Sequence, residues 1–242
     1  MRIVGIDCAT QPANTGLALA TLDGGRLTVH AARVARHAAD AAEAAADWLG
    51  RAPAGVLALD APLGWPAPMA DALGPHRAGD PLAPTADQMF NRETDRVVRR
   101  RLGKKPLEVG ADRIARTALA ALATLDDVRR RVPVEMGWAP GAVSGVHAIE
   151  VYPAATLLGR GLSVRGYKRA GADGLRAGLF DALDLQADDG VRAAAEAVDH
   201  VLDAVICCVA AADYALGRVL TPAGAGVAPA RARREGWIWV PA

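Results

Sequence analysis

Asp7 closes the run Arg2-Ile3-Val4-Gly5-Ile6, whose β-branched residues read as a short strand buried on both faces. An ionised carboxylate at the end of such a strand is costly unless it is paired or binds a metal. For one such Asp the plainer account is capping of the next turn, here built from Thr10, Pro12 and Asn14. The arrangement recurs, however. Asp60 ends the apolar run Val56-Leu57-Ala58-Leu59, and Glu150 lies inside Val146-His147-Ala148-Ile149-Glu150-Val151. Asp203 is flanked by the apolar stripe of a long helix, with Asp199 four residues earlier on the same side.

Like charges brought close together repel, so a cluster of Asp7, Asp60, Glu150 and Asp203 implies bound divalent cations. Oxygen ligands without a thiolate or multi-histidine set favour Mg²⁺ or Mn²⁺ over Zn²⁺. A metal pair about 4 Å apart can stabilise both attacking and leaving oxygens of an in-line phosphoryl displacement. Phosphodiester hydrolysis is the chemistry that fits such a set.

The elements that must position these acids are readable in order. Thr15–Leu22 and Arg26–His30 flank Asp23-Gly24-Gly25, which predicts a hairpin and, with the first strand, a three-stranded antiparallel meander. Ala38–Leu49 is Ala-rich and reads as a helix stopped by Pro53. Val56–Asp60 follows that helix and should run parallel to the first strand, bringing Asp60 to the edge that holds Asp7. Residues 65–145 read as a helical insertion within one domain spanning 1–242. It holds a Pro/Gly-rich loop over Ala67–Pro84, a capping box at Thr85-Ala86-Asp87-Gln88 opening a helix through Arg101, and a helix over Asp112–Arg131. Arg99-Arg100-Arg101 and Arg129-Arg130-Arg131 read as cations favoured at helix C-termini, or more sharply as a phosphate-binding face. A short helix is expected after Pro153, then a Gly-rich loop with Tyr167-Lys168-Arg169 and a helix over Asp173–Leu183. A long helix is expected over Glu196–Leu216, a linker over Thr221–Pro229, and a tail at Glu235–Pro241 as an edge strand or extended arm.

Composition narrows the class. A hydrophobic content of 52% with 4% aromatics suits a helix-rich α/β protein packed through small residues. A net charge of +1 argues against a global basic field, so nucleic-acid contact must come from local patches. Cys8, Cys207 and Cys208 form no metal or disulfide pattern and read as reduced thiols. The longest apolar stretch, Val201–Leu216, contains Asp203 and Asp213 and is too short to span a bilayer. No signal peptide is visible, and a soluble cytoplasmic protein is expected.

Several motifs together resemble the DUF429 family of predicted nucleases, which have a ribonuclease H-like fold. They are Gly5-Ile6-Asp7, Leu59-Asp60-Ala61-Pro62-Leu63-Gly64, Arg92-Glu93-Thr94-Asp95-Arg96, Ile149-Glu150-Val151-Tyr152-Pro153, Tyr167-Lys168-Arg169, Leu202-Asp203-Ala204 and Glu235-Gly236-Trp237-Ile238. The resemblance runs through the whole chain. It implies an α/β ribonuclease H-like mixed sheet, a meander plus parallel strands flanked by helices. It also implies Asp7, Asp60, Glu150 and Asp203 as ligands of Mg²⁺ or Mn²⁺. Lys168 would assist catalysis, and Arg92, Lys168 and Arg169 would contact a DNA or RNA substrate. His200-Val201-Leu202-Asp203-Ala204 is similar to the H-x-x-D-A stretch of RuvC-type Holliday-junction resolvases, where His and Asp serve one metal site. Read by itself, His200 is an exposed helix residue.

Simpler readings stand beside these. Arg92 and Asp95 are three apart on a helix and can pair with each other. Tyr152 reads as a packing residue. Trp237 and Trp239 could stack bases, but alternating with Ile238 and Val240 they read more simply as the cover of a core edge. A non-catalytic nucleic-acid- or protein-binding module with the same fold is the alternative to a nuclease. A relative of the sugar-kinase and actin-like ATPases ranks last, since neither a duplicated domain nor a second Gly-rich phosphate loop is present.

Overall fold

The first strand, β1 (Arg2–Asp7), becomes the central strand of a seven-stranded mixed sheet. The computed structural model describes residues 1–50, 52–110, 112–141 and 143–242. β1 pairs antiparallel with β2 (Gly16–Asp23), which pairs antiparallel with β3 (Arg26–Val34). Gly24 and Gly25 at the hairpin turn both have positive φ, 54° and 82°, which a tight turn between twisted strands requires. After α1 (Asp40–Leu49), β4 (Ala54–Asp60) lies parallel to β1 on its other side. The expected meander and parallel strand are both present, and the α/β architecture agrees with a ribonuclease H-like fold.

Alternation along β1 and β4 divides their side chains between two cores. Val4, Ile6, Leu57 and Leu59 pack against α1 and against Leu125 and Val128 of α5 (Asp112–Arg129). Ile3, Val56 and Ala58 pack on the other face against Leu202, Val205 and Ile206 of α9 (Asp199–Ala215). The 65–145 stretch contributes α2 (Ala67–Leu73), α3 (Ala86–Phe90), α4 (Glu93–Leu102), α5 and β5 (Val134–Met136). β5 joins the main sheet beside β6 (Gly145–Glu150), which itself runs parallel to β4. The segment therefore adds a strand to the sheet as well as helices, and α2 forms inside the stretch expected to be loop.

Two expected helices are interrupted. The one over 85–101 breaks at Asn91–Arg92, both extended, and gives α3 and α4. Arg92 leaves the helix because its guanidinium is buried between carboxylates, and Asp95 Oδ2 accepts its backbone N–H at 2.9 Å. Beyond α6 (Pro153–Gly159), α7 (Asp173–Ala182) and the short β7 (Gln186–Ala187), the long helix expected over 196–216 breaks at Val198. The result is α8 (Asp189–Ala197) and α9 (Asp199–Ala215). The buried Arg176 guanidinium donates to the carbonyls of Glu196 and Ala197, satisfying the open C-terminal end of α8.

Within the expected linker, Pro229 opens a final helix, α10 (Pro229–Glu235). The tail beyond it is extended: Ile238 bridges Glu150, and Trp237 and Trp239 are buried. Trp239 meets Tyr214 edge-on at 5.0 Å, and Trp237 Nε1 donates to the Leu220 carbonyl. These tryptophans cover a core edge and present no face to a base. Cys8, Cys207 and Cys208 are all unpaired. Among the described residues no helix is long and apolar enough to cross a membrane.

Candidate metal centre

Asp7 and Asp60 end adjacent parallel strands and are partners in register. Alternation continues past Ile3–Gly5 and Val56–Ala58, so both carboxylates fall on the face that α9 covers. The helix reaches them because two glycines let it touch the sheet. A Cβ on Gly5 would lie 2.1 Å from the Ala204 carbonyl oxygen, and one on Gly16 would lie 1.8 Å from that of His200. This contact sets the first turn of α9 beside the ends of β1 and β4. One carboxylate oxygen each from Asp7, Asp60 and Asp203 then lies within 4.8 Å of the other two.

Asp203 is fully buried. Tyr167 donates its hydroxyl to Asp203 Oδ1 at 2.8 Å, and the Lys168 ammonium forms an ion pair with Oδ2. Oδ2 is buried without a well-aligned hydrogen bond. Burial raises the Asp203 carboxyl to about 6 against the opposing charge of Lys168, with Asp7 adding to the rise. Burial also pushes Asp60 well above the usual carboxylate range, helped by the charges of Asp7 and Asp203. On Lys168 burial disfavours the charge, but Asp203, Asp60 and Asp7 outweigh it and hold the ammonium protonated.

His200 is not a free surface residue. Its Nδ1 lies 2.7 Å from Asp7 Oδ2, and its side chain is 32% exposed. That hydrogen bond raises its pKa against the effect of partial burial. A signal for the contact was present in the chain, since His200 stands three residues before Asp203 and shares its helix face. Tyr167 stands out in the sequence only as part of the Tyr167-Lys168-Arg169 motif.

Glu150 does not join the three aspartates. Its register partner is Leu59, one residue short of Asp60, so it is out of phase with Asp60 along the pleat. Both of its oxygens accept from Arg92, at 2.7 and 2.8 Å, and Oε2 also takes the Leu63 backbone N–H. Arg92 is almost wholly buried and also pairs with Asp95 at 2.9 Å. Arg92 and Glu150 still line the cleft that holds Asp7 and Asp60, while the guanidinium is paired with two carboxylates, as expected for Asp95. Next to them, buried Glu235 accepts the backbone N–H groups of Ala67 and Glu93, both at 2.8 Å. Together these carboxylates tie α4, α10 and the loop after Asp60 into one block.

Arg169 is exposed and lines a shallow depression with Gly166 and Leu175, apart from the acids. Arg130, just past the end of α5, pairs with Asp126 and Asp127 of that helix. Asp7 and Asp60 open instead into a cleft of about 280 Å³, lined also by Pro62, Arg92, Glu150, Tyr152 and Lys168. Tyr152 packs at the edge of a small core with Val98 and Ala155 and has its hydroxyl pushed up to about 12 by burial and then Asp60.

The three aspartates offer a donor set of oxygens only, which suits a hard divalent cation. The neighbouring Cys8 adds no thiolate, because burial and the charges of Asp60 and Asp7 keep it protonated. A second acidic group, His37, Asp40 and Glu43, is already neutralised, since Asp40 is bound by Arg33 and Arg36.

A mixed α/β sheet whose strand-end Asp7 and Asp60 converge with Asp203 of the covering helix defines a protein with an acidic cluster that could hold a cation. The chain belongs to the DUF429 family: the model of that family, described as a protein of unknown function, matches residues 5–226. No curated protein and no solved structure matches it.

Proposed function

We propose that this protein is a divalent-metal-dependent nuclease that hydrolyses phosphodiester bonds in DNA or RNA. The convergence of Asp7, Asp60 and Asp203 is the observation that carries the reading. These three would hold Mg²⁺ or Mn²⁺, with Glu150 held outside by Arg92. Bound there, the cation would supply Lewis-acid stabilisation of phosphoryl oxygens.

The chain's own residues have separable tasks. Lys168 balances Asp203 and places a positive charge beside an incoming phosphate. Tyr167 fixes the Asp203 carboxylate through Oδ1. His200 orients Asp7 through Nδ1, which leaves Nε2 to exchange a proton. In this reading the chain works as a single ribonuclease H-like unit on nucleic acid in the cytoplasm, where unpaired thiols persist.

The decisive assay is cleavage of a panel of DNA and RNA substrates with Mg²⁺ or Mn²⁺, comparing wild type with Asp7→Asn. Metal-dependent cleavage that falls at least a hundredfold in the variant supports the reading, and equal activity overturns it. The Lys168–Asp203 ion pair favours a second reading, because an ammonium already neutralises the most buried acid. In that reading the protein is a binding module without a metal, and calorimetric titration with Mn²⁺ gives no site-specific heat.

A further inference from the structure

The cleft beside the aspartates changes character away from them. Besides the charged Asp7, Asp60, Lys168 and the Arg92–Glu150 pair, it is lined by Pro106, Leu107, Ile114 and Tyr152. Leu107 is 70% exposed, the most exposed large apolar side chain among the described residues. Scattered exposed leucines need no explanation, but this one lies on the rim of the acidic cleft. Pro106, Leu107 and Ile114 also border a second depression of mixed charge, with Lys105, Arg113, Glu108 and Asp112. An apolar ridge thus separates Asp7, Asp60 and Lys168 from a surface of mixed charge.

We infer that this cleft is a subsite for one unpaired nucleobase, seated on Leu107, Ile114 and Tyr152 while its phosphate faces the aspartates and Lys168. The inference rests on the metal-dependent reading and narrows its substrate class to a single strand or a base drawn out of a duplex. Size supports one unit. A volume of about 280 Å³ lies near the low end for small-molecule sites and suits a single base with its phosphate. Chemistry supports a base, since a planar aromatic face gains from apolar and aromatic contact while its phosphate needs a cation.

The test is calorimetric. Mn²⁺ is titrated first, and then deoxyadenosine 5′-monophosphate and 2-deoxyribose 5-phosphate are each titrated into the Mn²⁺-loaded protein. The nucleotide is expected to bind at least tenfold more tightly than the sugar phosphate. Leu107→Asp, at an exposed position that leaves the fold intact, is expected to remove that difference with Mn²⁺ affinity unchanged. Equal binding of the two phosphates to the loaded protein overturns the subsite and spares the metal reading. An unchanged ratio in Leu107→Asp overturns the placement of the base. Absence of Mn²⁺ binding overturns the metal reading, and the inference falls with it.

Discussion

Asp7 and Asp60 face the same side of the sheet as register partners of a parallel strand pair, and among the described residues neither forms an ion pair with an arginine. In the fold the neighbours that offset this repulsion are His200 on Asp7 and Lys168 on Asp203. A like-charged pair held this way costs stability in the absence of a cation and marks a place where function outweighs stability.

Asp60→Asn is therefore expected to stabilise the metal-free protein by about 1 kcal/mol, raising Tm by about 2–4 °C. The same variant should lose the Tm increase that Mn²⁺ gives the wild type. Thermal melts with and without Mn²⁺ read both effects. A variant that melts lower and still gains from Mn²⁺ contradicts the role given to Asp60.

Glu150 and Arg92 should behave as structural residues. Arg92→Met leaves Glu150 and Asp95 buried without their cation and is expected to cost about 3–5 kcal/mol in denaturant unfolding. Glu150→Gln should cost less, because Asp95 still pairs with Arg92, and should keep Mn²⁺ affinity within about twofold. A tenfold loss of Mn²⁺ affinity in that variant would return Glu150 to the ligand set.

Gly16→Ala drives a methyl group into the His200 carbonyl, and neither backbone can yield cheaply. A loss of about 3 kcal/mol or more is expected, together with weaker Mn²⁺ binding as α9 is pushed off the sheet. Gly178→Ala is the control: it lies within α7 with nothing inside 4 Å and should be stabilising by about 0.5–1 kcal/mol.

The pH dependence has a defined sign. Asp203, raised by burial from 3.8 to about 6, and His200, raised from 6.5 by its bond to Asp7, both hold their protons more tightly in the fold. Such groups favour the fold below their unfolded pKa and lose that contribution as pH rises through the folded value. Asp40 acts oppositely. Its hydrogen bonds to Arg36 and Arg33 hold it well below 3.8, so its contribution is present above that value and lost in acid. Mn²⁺ binds the deprotonated carboxylates, so its effect on Tm should grow between about pH 5 and pH 8. Melts across that range check the sign, and a gain that shrinks with rising pH contradicts it.

Much of the site was legible before any coordinates. Asp7 and Asp60 each end an apolar run, and a carboxylate in that setting is conspicuous because the buried strand around it has no local use for charge. Asp203 was conspicuous for the same reason on a helix. Local pattern also determined the meander, the parallel β4 and the burial of the tail tryptophans, since each follows from alternation, turn residues or apolar run length.

What the chain could not reveal by itself is phase and distance. Glu150 has the same apolar setting as Asp60, yet a one-residue offset in register, set by how β6 docks on β4, hands it to Arg92. The breaks at Arg92 and Val198 depend on partners far along the chain, Glu150 for one and Arg176 for the other. His200 reaches Asp7 only because Gly5 and Gly16 admit α9 to the sheet surface. The sequence by itself determined which segments are buried and which acids stand out, because hydrophobic periodicity is a local property. Which acids meet, and which are neutralised by arginine, was decided by strand register and helix approach, which exist only once distant segments pack.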